Sequence, residues 1–356
     1  MKQLSKKDGV MHIPAEWEKH EATWIGWPHN NEDWPGKYTP IPWVYAEIVK
    51  HISKNEIVRI VVESKEHEKK TLSVLKSANG NTYNVEFFHF KTDRGWMRDS
   101  CPAFVSNKNN VELVNFRFNG WAKYPNHKKD EKLPKYISEK LKLKRIIAEY
   151  EKRQVVLEGG AIDINGKGTL ITTEECLLDG KTQTRNPGFT KNEYENVFRG
   201  YLGIKNVIWL GKGIAGDDTH GHVDDLCRFV NKKTVVLVQE KNKHDENYKP
   251  LNENKERLQD LKLESGSKVN VVELPMPLPV IFKGQRLPAS YANFYFSNAA
   301  VLVPTFNDPN DRIVLGILSE LIKDRPIIGI HALDLVWGLG TIHCLTHEQP
   351  AIGALF

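Results

Sequence analysis

The chain has 356 residues, of which 40% are hydrophobic and 27% charged, with a formal net charge of +5. That is enough apolar material for a large buried core and an ordinary charge load, which excludes a disordered chain and falls short of the basic footprint of a nucleic-acid binder. No stretch approaches the length of an apolar membrane span, and the first nine residues carry no signal-peptide core, so a cytoplasmic protein is expected.

Five of the nine tryptophans fall between Trp17 and Trp43, where residues 22–28 read as a strand ended by Pro28. A helix near 44–53 then leads to a strand at 57–62, and a helix near 64–78 to a strand at 85–90. Short strands follow around Ala103 and Val114. The segment from Lys123 to Arg145 carries nine Lys or Arg against three acids, and reads as a solvated face with a helix near 132–143.

Strands are predicted around Val155 and Leu170. Thr190-Lys191-Asn192-Glu193 has the form of a capping box, opening a helix to about Tyr201 that feeds a strand at 207–210. Strands near Leu226 and Val235, a helix near 252–263 and a strand at 269–274 make the next unit. In the last, residues 294–296 and 300–303 form a hairpin-like pair, Asp308-Pro309 opens a helix to about Lys323, and residues 327–330 return as a strand. The order strand, strand, helix, strand recurs about five times, with no long linker. One α/β domain spanning 1–356 is therefore expected.

Four cysteines, Cys101, Cys176, Cys227 and Cys344, are far apart and lack C-x-x-C spacing, which argues for free thiols. Cys344 is the candidate nucleophile, because Gly338-Leu339-Gly340-Thr341 lets a ligand approach its sulfur. Cys227 reads as a core residue or a second thiol near the first.

Three more segments carry chemistry. Trp96-Met97-Arg98-Asp99-Ser100 alone would be a salt bridge on a surface. Leu157-Glu158-Gly159-Gly160 alone would be a turn that leaves room beside a carboxylate. Gly216-Asp217-Asp218-Thr219-His220-Gly221-His222-Val223-Asp224-Asp225 is the densest cluster, and an extended 222–224 would place His222 and Asp224 side by side. A zinc set of His220, His222, Cys344 and His347 matches none of the common signatures, and no metal is expected. A papain-type arrangement is disfavoured too, since its cysteine precedes its histidine.

Trp96-x-x-Asp99, Leu157-Glu158-Gly159-Gly160, Thr219-His220-Gly221-His222-Val223-Asp224-Asp225 and Gly340-Thr341-Ile342-His343-Cys344, with Phe118-Asn119-Gly120-Trp121, resemble in order the motifs of the agmatine deiminase and bacterial peptidylarginine deiminase family. The resemblance runs over nearly the whole chain. It implies a pentein fold, a five-bladed α/β propeller with its site in the central channel, and hydrolysis of a guanidinium without metal or cofactor. It maps the nucleophile to Cys344, the general acid and base to His222, the guanidinium-binding carboxylates to Asp99 and Asp224, a histidine-orienting carboxylate to Glu158, and an active-site aromatic to Trp96.

The favoured substrate is agmatine, a small guanidine. Free or peptidyl arginine, an amidinotransferase reaction, and a non-catalytic binding module on the same fold are the alternatives. Arg117 is the candidate reader of the substrate's far end: facing the channel it would favour a carboxylate, whereas facing outward, the commoner placement, it is a strand-surface charge. No nucleic-acid or membrane partner is expected, and the sequence leaves room for a homo-oligomer.

Overall fold

The structure, a computed structural model, describes residues 11–353. It is a mixed α/β fold in which the order strand, strand, helix, strand recurs in four three-stranded sheets, beside a fifth, four-stranded one. In each of the four a first strand lies antiparallel to a central one, and a helix carries the chain back to a parallel third.

The second unit holds Ala103–Ser106, Val111–Asn115 and Arg145–Ile147, with the helix Leu133–Leu141. The third holds Asp163–Ile164, Thr169–Thr173 and Asn206–Leu210, with Lys191–Leu202. The fourth holds Cys227–Phe229, Thr234–Gln239 and Asn270–Pro275, with Tyr248–Leu258. The fifth holds Tyr295–Phe296, Val301–Thr305 and Ile327–His331, with Asn310–Leu321.

The first unit is assembled from both ends of the chain. His20–Gly26 runs parallel to Ile57–Val62, which runs parallel to Val85–His89, and its other edge is taken antiparallel by Thr346–Pro350. Its helices are Ile41–Ile52 and Lys65–Ser77. The segment that carries Cys344 is thereby stitched to the start of the fold.

Local sequence explains these elements. Central strands such as Thr234–Gln239 are buried on both faces and read as unbroken β-branched runs rather than alternating ones. Ser64 caps its helix by accepting from the His67 N–H, and the Thr190/Glu193 box forms as the spacing predicts. Gly203, at φ +72°, ends that helix in the left-handed conformation that favours glycine. The helix expected at 252–263 starts four residues earlier, at Tyr248, because Asn247 and Asp245 rather than the later polar residues organise its entry.

Candidate active site

Each of the five units offers one polar side chain from the segment just before its first strand. Asp99 lies four residues ahead of Ala103, Glu158 five ahead of Asp163, Asp224 three ahead of Cys227, Asn293 two ahead of Tyr295, and Cys344 two ahead of Thr346. Side chains of one segment hold the next. The Gly160 N–H donates to Asp99 Oδ1 at 3.0 Å, the Asn293 amide donates to Asp224 Oδ2 at 3.3 Å, and Thr341 Oγ1 donates to Asn293 Oδ1 at 2.7 Å. The first strands of neighbouring sheets are short here, so loops rather than ladders meet at the centre.

Two glycines make this convergence possible. A Cβ on Gly160 would lie 2.5 Å from His222 Nδ1 and about 3 Å from carboxylate oxygens of Asp224 and Asp99, so any side chain there would occupy the site itself. A Cβ on Gly340 would lie 2.9 Å from the Trp96 ring and 3.1 Å from Cys344 Sγ. Close packing thus requires glycine at both positions, and Gly340 also lines the pocket beside the sulfur.

Cys344, 8% exposed, lines a pocket of about 180 Å³ together with Trp96, Asp99, Trp121, Tyr124 and the Gly338–Leu339–Gly340 backbone. Trp96 rests against Trp34, ring centroids 5.5 Å apart, whose indole is itself held by the Leu335 carbonyl. Trp121 sits at a positive φ of 58° and aims its indole N–H at Asp99 Oδ2, 2.8 Å away. Asp99 therefore has both oxygens anchored and one edge facing the pocket.

The 222–224 segment is not extended. Val223–Asp225 forms a short helical turn, and it is this turn that leaves His222 Nδ1 3.9 Å from Asp224 Oδ1 and 4.0 Å from Asp99 Oδ1. Glu158 Oε2 stands 4.0 Å from His222 Nε2, beyond hydrogen-bond reach, while its other oxygen takes the Arg185 Nε–H at 3.1 Å. Glu158 Oε2, His222 Nε2 and Asp224 Oδ1 are all buried without a protein partner, which leaves polar atoms aimed into the site.

Burial raises the Cys344 thiol well above its ordinary range, and Asp224, Asp225 and Asp99 raise it further, against the opposing Asn293 amide 3.2 Å from the sulfur. His222 goes the other way. Burial alone would lower it, but Asp99 and then Cys176 and Asp224 hold it well above the usual imidazole range. Burial lifts the Asp99 carboxyl to about 6 despite the His222 charge. Asp224 is held below the carboxylate range, since the His343 hydrogen bond and charge outweigh its burial. The empty site thus rests with a thiol and an imidazolium.

The structure brings Cys344, His222, Asp99, Asp224, Glu158 and Trp96 together. It does not bring Arg117 there: its side chain is 46% exposed and pairs with Glu131 at 2.9 Å, on the strand edge away from the pocket. Arg117 as a substrate-binding residue is corrected accordingly; its backbone bridges to Val156, which turns the side chain outward. Nor are the four zinc candidates gathered, since His220 pairs with Asp179 at 2.7 Å and His347 lines a different cavity. Cys227 is core, not a second site thiol. Cys176 instead stands on the far side of His222, its sulfur grouped within 4.8 Å with His222 and Glu158 ligand atoms rather than with Cys344.

Asn293, Arg185, Cys176 and Trp121 were given no role by sequence reasoning. For Asn293 a signal existed: it precedes the fifth unit's first strand by the same two residues as Cys344 precedes the first unit's edge strand.

Residues 12–350 match the model of the Porphyromonas-type peptidyl-arginine deiminase family. The chain belongs to this family. It is 32% identical to the agmatine deiminase of Pseudomonas aeruginosa strain LESB58, with 97% of each chain covered. Among solved structures, it resembles C. jejuni agmatine deiminase with substrate bound (TM-score 0.84, 30% identity, 98% of each chain) and the agmatine deiminase of Enterococcus faecalis (TM-score 0.87, 27% identity, 96% of each). An amidinotransferase from Microseira wollei shares the fold alone, at TM-score 0.51 and 11% identity over 95% of this chain and 96% of its own.

Because Asp99 titrates near 6, affinity for a small organic cation is predicted to be full above that pH and lost below it. Protonation removes the charge the cation needs, and a bound cation moves the midpoint lower. Calorimetry with an alkylguanidine from about pH 8 down to about pH 5 should show the decline in the wild type, whereas Asp99→Asn should bind more weakly and without that step.

Proposed function

We propose that this protein hydrolyses agmatine to N-carbamoylputrescine and ammonia through a covalent Cys344 intermediate, on a single domain whose five units form the blades of a pentein propeller around the site. The observation that carries the reading is the set of unpartnered buried atoms, Asp224 Oδ1, His222 Nε2 and Glu158 Oε2, beside a thiol and a second carboxylate. A guanidinium is planar, permanently charged and rich in N–H donors, so it supplies what the two carboxylate oxygens lack, while the protonated His222 stands by as a donor. Asp99 and Asp224 would hold it from two sides, with Trp96 against it.

In this reading the cation offsets the negative field that keeps the Cys344 proton in place, and that proton passes to solvent through the pocket that Cys344 lines. The thiolate then bonds to the guanidinium carbon. His222, already protonated in the empty site, gives its proton to the departing nitrogen as the C–N bond breaks, releasing ammonia and leaving a thiouronium. Neutral His222 next takes a proton from water, whose oxygen bonds to the same carbon; the C–S bond then breaks, and the leaving thiolate takes the remaining hydroxyl proton. The product is a ureido compound.

The far end of the substrate is read by the pocket mouth. Glu32, Asp33 and Asp218 line it, and its one cation among the lining residues, Arg94, is committed to Asp33 at 2.9 Å and stacked on Tyr124. With Arg117 outside, an ammonium suits this rim better than a carboxylate. The names of the relatives point the same way.

Purified protein should therefore release ammonia and the ureido product from agmatine, with little or no turnover of free arginine or peptides bearing internal or C-terminal arginine. Cys344→Ser should lower agmatine turnover by roughly 10⁴-fold or more. Preference for a carboxylate-bearing substrate would contradict the reading of the rim, and transfer of the amidino group to an added amine would move the reaction to an amidinotransferase. Thiolate absorbance in the ultraviolet, with Cys344→Ser as the blank, should show the Cys344 titration moving to lower pH when guanidinium ion is added; an unchanged titration would contradict substrate-assisted ionisation.

A further inference from the structure

His343 precedes Cys344 in the chain, is 2% exposed, and does not line the pocket, yet it grips Asp224, whose carboxylate lies 3.7 Å from the Cys344 sulfur that does. Its Nδ1 lies 2.7 Å from Asp224 Oδ2, and its Nε2 lies 2.7 Å from Glu16 Oε2. Glu16 belongs to none of the five site segments. It sits ahead of the first strand, where its Oε1 accepts from the Phe296 N–H at 2.8 Å and from Arg228 at 3.0 Å, while Arg98 reaches Oε2 at 3.2 Å. A carboxylate, an imidazole and a second carboxylate thus stand in a row, the outer one immobilised by two arginines and a backbone N–H.

The consequence falls on Asp224. Its Oδ2 is occupied by His343 and Asn293, while Oδ1, equally buried, has no protein partner. A carboxylate turns readily about its last torsion, and this one has Asp225 as its chain neighbour and Asp99 raising its potential from across the site. Something must set which oxygen faces inward.

We propose that Glu16 and His343 are positioning residues for the guanidinium: the Glu16–His343–Asp224 row pins the Asp224 carboxylate by one oxygen and presents the other to the cation. Donation by the ring also favours the ionised form of Asp224, which the substrate needs.

The proposal rests on the deimination reading, and its test separates the two. In a Cys344→Ser background, agmatine binding is measured by calorimetry, with melting temperatures recorded for every variant. His343→Gln carries its amide too far out for Asp224 and is expected to weaken binding roughly ten- to hundred-fold, the range for a hydrogen bond to a charged group. His343→Asn places an amide nitrogen where Nδ1 stood and is expected to recover most of that loss. Glu16→Gln, which keeps the bond to Phe296 but not the charge, is expected to weaken binding several-fold. In the active enzyme the same variants should raise KM more than they lower kcat. Binding by His343→Gln equal to that of its parent, or equal losses in the Asn and Gln variants, would overturn the proposal. Failure of the Cys344→Ser parent to bind agmatine would overturn the deimination reading, and this inference with it.

Discussion

Everything in this structure turns on keeping four carboxyl groups, Asp99, Glu158, Asp224 and Asp225, buried within one small volume. Burying one unpaired carboxylate is costly, and neighbours of like charge add to the cost. Each acid here has a different answer. Glu158 is paired with the buried Arg185, and Asp224 with His343; Asp99 accepts from an indole and a backbone N–H and is lifted to about 6; burial and the adjacent Asp224 push Asp225 well above the carboxylate range, and it accepts from the Asn293 amide. What remains is a net negative field that the His222 imidazolium only partly offsets. Such a site is poised for a cationic ligand and holds its thiol protonated until one arrives.

The architecture supplies these groups economically. In every unit the chain enters the first strand from the centre, so one residue of the entering segment points inward, and five such segments together give acid, acid, acid, amide and thiol. None of the five is built by a single local motif. Interlocking bonds fix their mutual positions: Gly160 to Asp99, Asn293 to Asp224 and to the Cys344 sulfur, Thr341 to Asn293. The glycines at 160 and 340 let these segments approach too closely for any side chain.

The sequence made the units legible because their periodicity is physical. Buried central strands appear as β-branched runs, and helix starts carry Ser64 or the Thr190/Glu193 box. Cys344 and the His222–Asp224 cluster stood out as thiol, base and acid near glycine, whereas Asp99 and Glu158 read alone as a salt bridge and a turn and were picked out by the resemblance to the deiminase motifs. Residues acting only through another group were hidden. Asn293, Arg185 and Glu16 are polar residues in unremarked positions, and nothing local tells that they meet partners 27 to 327 residues away. Arg117 was ambiguous for a related reason: which way a strand residue faces depends on pairing, here to Val156, that only the fold decides.

The most direct test of the account is a crystal structure of Cys344→Ser with agmatine bound. The guanidinium should lie between Asp99 and Asp224, donating to Asp224 Oδ1, with its central carbon facing residue 344, its plane against Trp96 and its ammonium at the rim near Asp218. A guanidinium bound elsewhere in the pocket, or one that leaves Asp224 Oδ1 unpartnered, would contradict it.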